Sequence, residues 1–199
     1  MESHVKFAGH PIHPMLIVFP LGVLSSAVIF DIVYLITGSI TFPAIAFYDI
    51  AVGLIGGLLA ALFGFADWLH VPGGTRAKTV GAWHGLGNAT IVILFVVSWL
   101  LRRTSPGYIP TSLALIFSFA GILLAVITAW LGGEMVDRLG VGVDRGANVN
   151  APSSLSSQPA AARFGAGAVA GRGSGDFESP PEARPDPDRP EDEESHHHF

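Results

Sequence analysis

The sequence predicts an all-α membrane protein, a four-helix transmembrane bundle of up-down topology with a disordered C-terminal tail. Three observations carry this. Half of the 199 residues are hydrophobic and only 14% are charged, against about 25% in soluble domains. Four apolar stretches approach or exceed the roughly 20 residues that a bilayer-spanning helix needs. The formal charge of −5 is also uneven. Residues 1–138 hold six acids and six bases, whereas residues 139–199 hold ten acids and five bases. An apolar, charge-balanced body therefore precedes an acidic tail, and a soluble monomeric domain is excluded.

The first span is predicted from about 14 to 36, with Asp31 as its one charge. The second runs from about 42 to 69, with Asp49 and Asp67 near its ends. The third (about 79–101) and fourth (about 110–133) carry no charge. A soluble bundle would turn a polar face outward, but these stretches are apolar all round. The links are short, and two contain the turn signals Pro72-Gly73-Gly74 and Pro106-Gly107. Short links make consecutive helices antiparallel neighbours, so residues 1–144 form one four-span domain with both termini on one side. That side carries Lys6, Arg76, Lys78, Arg138 and Arg145, and the other only Arg102 and Arg103. The positive-inside rule then predicts cytoplasmic termini in a bacterial inner membrane. The first span reads as a retained anchor, because it is longer than a signal-peptide core and ends in no small-residue cleavage site.

Residues 145–199 are rich in Ala, Gly, Ser and Pro and become acidic from Asp176. Such a segment buries too little apolar area to offset chain entropy and is expected to be disordered. The terminal His196-His197-His198 points weakly to a tag or a metal tract.

Chemistry gathers at one membrane face. His4, His10, His13, His70 and His84 all fall on the side of the termini in this topology, and no histidine falls on the other. His10 and His13 each precede a proline, which biases both away from helical angles. They are expected on an extended strap over the bundle mouth, with Pro14 at the first helical position. In the second span Asp49, Gly53, Gly56, Gly57, Ala60, Gly64 and Asp67 share a broad face. These small residues suit close helix packing or the approach of a flat ligand. His84 and Asn88 lie four apart and share a face.

Haem iron takes axial imidazoles, which helix bundles supply from facing helices. The candidate cofactor-binding residues are therefore His10, His13, His70 and His84, with haem b as the cofactor. A divalent metal on His10, His13 and His84 is the alternative, and no cofactor is the fallback. Asp67 or Glu134 would orient an imidazole through its second nitrogen, with Trp68 and Asn88 beside them. Arg76 or Lys78 would pair with propionates. Two other readings stand: a proton or ion relay through Asp31, Asp49 and Asp67, and a non-catalytic structural or assembly subunit. Expected partners are the lipid bilayer, a redox protein and a second copy of the chain.

The missing cysteine excludes disulfides, thiolate metal sites and covalent haem attachment. No strand-borne glycine loop marks a nucleotide site, and no basic patch marks nucleic acid.

The segment Gly9-His10-Pro11-Ile12-His13-Pro14-Met15-Leu16-Ile17-Val18-Phe19-Pro20-Leu21-Gly22 resembles the opening of a bacterial membrane family known as domain of unknown function 2231. Asp67-Trp68, the stretch from Trp83-His84 to Asn88, and the exit from Leu131-Gly132-Gly133-Glu134 to Val143 fit the same pattern. The resemblance spans about residues 7–144. It departs at Asp137, where family members tend to carry a tyrosine. The family has no established activity. Some members are joined to Rieske-type iron–sulfur domains, which implies membrane redox work, although this chain lacks the cysteines of such a domain.

Overall fold

A computed structural model describes residues 2–156 and 158–161. A short antiparallel hairpin, β1 (Lys6–Phe7) and β2 (His10–Pro11), precedes four long helices. These are α1 (Ile12–Thr37), α2 (Thr41–Leu69), α3 (Arg76–Arg102) and α4 (Ser112–Gly133). A π-helical turn at Glu134–Arg138 extends α4. All four helices are long and apolar enough to cross a membrane. No more than 33% of any span's most apolar stretch is buried within the molecule. The remaining surface is the apolar exterior that a bilayer solvates.

Local chemistry sets the boundaries. Thr75 and Thr111 cap α3 and α4, accepting from Lys78 N at 3.2 Å and Ala114 N at 3.1 Å. Helix α1 ends at Gly38, whose φ of 69° allows its N–H to reach Tyr34 O at 2.8 Å. The start of α1 differs from the expected strap. His10 lies in β2, but His13 already lies in the first helical turn. Pro14 sits third in the helix, where the missing N–H would have had no intrahelical partner. The bias that a proline places on its predecessor is thus outweighed at His13.

Packing is closest within α1–α2 and within α3–α4, and looser between these hairpins. Helices α1 and α3 each pack on α2 and α4, so they face each other diagonally. The core joins Leu24, Ala27, Val28, Ala46, Ile50 and Leu54 to Ile91, Phe95 and Ala125. One end of the bundle also buries charge. Arg102 donates from both terminal nitrogens to the two Asp31 oxygens at 2.6 Å, and both side chains are 0% exposed. Ser98 and Ser118 accept further Arg102 contacts at 3.0–3.3 Å. Arg102 is therefore no loop cation. It pins α1 to α3 across the bundle.

The expected disordered segment falls mostly outside the described residues, as do His196–His198. Its described part forms successive turns. There Ser154 Oγ lies 3.1 Å from both Ala8 O and His10 Nε2.

Candidate functional site

The five histidines separate into three groups. His10 lies on the exposed hairpin and meets Ser154. His4 and His70 stack at the surface, with ring centres 4.1 Å apart, and His70 Nδ1 meets Ala66 O at 2.8 Å. Of the five described histidines, only His13 and His84 enter the bundle, and both are half-buried. Their ring centres stand 6.4 Å apart with planes at 89°.

Each of these two imidazoles is held by the second helix of its own hairpin. His13 Nδ1 lies 2.8 Å from Ala60 O in α2. His84 Nδ1 lies 2.9 Å from Thr128 O in α4. A carbonyl only accepts, so each Nδ1 is the protonated nitrogen and each Nε2 keeps its lone pair. The two ring nitrogens point in widely different directions. An Nδ1 aimed at the second helix therefore turns Nε2 away from that helix. Asn88 supports the assignment. Its amide donates to His84 O at 2.8 Å and faces His84 Nε2 at 3.2 Å.

The other predicted supporting residues do different work. Asp67 accepts from Ser3 Oγ at 2.7 and 2.8 Å, from His4 N at 3.0 Å and from Val5 N at 3.3 Å. It anchors the N-terminal hairpin to the end of α2. Trp68 Nε1 donates to Lys78 O at 3.1 Å, while Lys78 Nζ donates to Trp68 O at 2.6 Å and sits over the indole. Glu134 pairs with Arg76 at 2.6 Å. Of the four predicted supporting residues, only Asn88 hydrogen-bonds to an imidazole. Among the described residues, no three His, Asp or Glu side chains are grouped for one metal ion. Asp31 is committed to Arg102 and Asp67 to the N-terminal segment, so neither joins a relay with the histidine pair. Asp49 is half-buried and has no side-chain hydrogen bond among the described residues.

Hydrogen bonds to a charged acceptor are worth about 1.5–3 kcal/mol each. Asp67→Ala is therefore expected to release residues 3–5 while leaving the helices intact. Hydrogen exchange measures this directly. The amides of His4 and Val5 should exchange at least about tenfold faster, with α2 and α3 unchanged. Unaltered protection at both amides would remove Asp67 from the anchor.

The sequence reading gave no part in holding the rings to Ala60, Gly64, Thr128 or Gly132, although the first two stood in its small-residue face and Gly132 in the exit motif. Ala60 and Thr128 act through backbone carbonyls, which side-chain chemistry does not report. A Cβ at Gly64 would lie 2.8 Å from His13 Nδ1, and one at Gly132 would lie 3.2 Å from His84 Cε1. The two glycines thus form notches that hold the rings. Gly64 was visible only as part of a small-residue stripe.

Four apolar spans and a histidine pair at one end define a multi-pass integral membrane protein. The family model for DUF2231, described as a predicted membrane protein, matches residues 9–145. The chain belongs to that family. No curated protein and no solved structure matches it.

Proposed function

We propose that this protein is a redox-associated membrane subunit in which His13 and His84 would hold a haem b between the two hairpins. The carrying observation is the paired geometry of the two imidazoles. The ring centres stand 6.4 Å apart, one from each hairpin, so that both imidazoles could hold one group between them. Both rings are already fixed through Nδ1 to a carbonyl, as ligating histidines usually are. Among the described residues no third His, Asp or Glu joins the two imidazoles, and two nitrogen donors fall short of the four ligands of a zinc-type site.

A haem held by both imidazoles would supply one-electron transfer. The protein's own part is to orient the rings and to set the depth of the site. Trp83 and Trp130 are 62% and 65% exposed, next to His84 in α3 and close to Thr128 in α4. Exposed tryptophans favour the membrane–water boundary, which supports a site near one face and within reach of a redox partner protein. With Arg102 buried, the charge bias becomes Lys6, Arg76, Lys78, Arg138 and Arg145 against Arg103. This supports cytoplasmic termini in a bacterial inner membrane.

A second reading is a structural subunit without a cofactor. It rests on Asn88, whose amide already meets His84 Nε2. An absorption spectrum separates the two. The protein purified from a haem-sufficient host should show a Soret band that shifts on reduction. His13→Ala and His84→Ala should each abolish the reduced low-spin spectrum, while His10→Ala and His70→Ala should retain it. A colourless parent protein that also takes up no added hemin sinks the haem reading and leaves the structural one.

A further inference from the structure

The hairpins α1–α2 and α3–α4 repeat several contacts at matching positions. His13 in α1 meets the Ala60 carbonyl and the Gly64 notch in α2. His84 in α3 meets the Thr128 carbonyl and the Gly132 notch in α4. Deeper in the first hairpin, a Cβ at Gly53 would lie 2.6 Å from Leu24. In the second, a Cβ at Gly121 would lie 2.7 Å from Phe95. At the far end Asp31 of α1 meets Arg102 of α3.

These positions share one register. His13 and His84, Leu24 and Phe95, and Asp31 and Arg102 are each 71 residues apart. Gly53 and Gly121, Ala60 and Thr128, and Gly64 and Gly132 are each 68 apart. The buried faces follow the same shift. Pro20, Leu24, Ala27 and Asp31 correspond to the buried Ile91, Phe95, Ser98 and Arg102. Chance placement of one histidine does not produce matched carbonyl, notch, packing glycine and buried charge on both hairpins.

We infer that the chain is a tandem duplication of one helical hairpin, and that Gly64 and Gly132, with the Ala60 and Thr128 carbonyls, are positioning residues holding both imidazoles in the Nε2-ligating form. The element is a histidine on the first helix, and a carbonyl with a glycine four residues later on the second. Each glycine lets the ring lie against the second helix, within reach of the carbonyl one turn earlier. A ligand between the hairpins then meets two equivalent half-sites. Such a ligand would be held by one imidazole nitrogen from each hairpin. The ligand's identity as a haem rests on the function proposed above. The positioning role does not.

The test reads tautomers in the ligand-free, full-length protein in nanodiscs, by long-range ¹⁵N–¹H correlation of the histidine rings. Both His13 and His84 are expected as the Nδ1–H form. Gly64→Ala should change the His13 pattern and leave His84 alone. Gly132→Ala should do the reverse, and more weakly, because its Cβ meets the ring at 3.2 Å rather than 2.8 Å. Gly85→Ala, with nothing within 4 Å of its Cβ, serves as the folded control and should change neither. An Nε2–H form at either histidine in the parent protein overturns the inference. So do glycine variants that leave both rings as they were. Hemin titration is a separate arm, in which Gly64→Ala should weaken binding by about tenfold or more. A parent protein with the expected tautomers that binds no hemin sinks the haem reading and leaves the positioning role supported.

Discussion

Arg102→Met should lower the stability of the folded bundle by about 3–5 kcal/mol, the usual cost of leaving a buried charge without its partner. The geometry explains the size. Asp31 is 0% exposed and takes both of its short contacts from this one guanidinium. Removing Arg102 leaves a carboxylate that is 0% exposed and has lost both of its short contacts. Asp31→Leu should be destabilising by a similar amount, because it strands the guanidinium instead. The double variant Asp31→Leu with Arg102→Met should recover most of the loss, since an apolar pair of similar volume is often as stable as the ion pair. Unfolding in mixed detergent, followed by circular dichroism, gives the cycle. A single variant as stable as the parent would show that the pair does not pin α1 to α3. A double variant no better than either single would assign the loss to shape rather than charge.

That ion pair also marks the limit of reading this chain as a string. The spans were legible because apolar length is a one-dimensional property, and the bilayer selects on it. The histidine-bearing face was legible because so few polar residues interrupt the body. Arg102 was not. It sits at the edge of an apolar run, where a cation normally counts toward the loop, and only the diagonal approach of α1 and α3 brings Asp31 to it. The five histidines looked like one cluster for the same reason. Their depth along the chain is nearly common, but the rotation of each helix decides which rings face inward. His13 and His84 do, whereas His70 turns to the surface and stacks on His4. The duplication was hidden because its shared features are a carbonyl, a missing Cβ and a burial pattern. Side-chain identity survives at the histidines and glycines, but Asp31 has become Arg102 and Leu24 has become Phe95.

The repeated packing glycines give the second large effect, with opposite signs at different sites. A glycine in a helix interior costs about 1 kcal/mol relative to alanine, so Gly→Ala stabilises where space permits. Gly85 has that space, and Gly85→Ala should raise stability by up to about 1 kcal/mol. Gly121 does not. Its Cβ would lie 2.7 Å from Phe95 Cε2 and 3.0 Å from Cδ2, and Phe95 is 0% exposed. A buried ring cannot step aside as a flexible chain end can, so α3 and α4 must separate. Overpacking of this kind costs about 1–3 kcal/mol, which exceeds the helical gain, and Gly121→Ala should be net destabilising. Gly53→Ala should behave alike, because the clash at 2.6 Å includes Leu24 Cγ as well as a terminal methyl. Rescue identifies the cause. Phe95→Leu should destabilise the parent by opening a cavity, yet relieve Gly121→Ala, so that the two changes together cost less than their sum. Additive losses in that cycle would mean that Phe95 does not need the glycine opposite it, and that the α3–α4 hairpin is not held by the notch it shares with α1–α2.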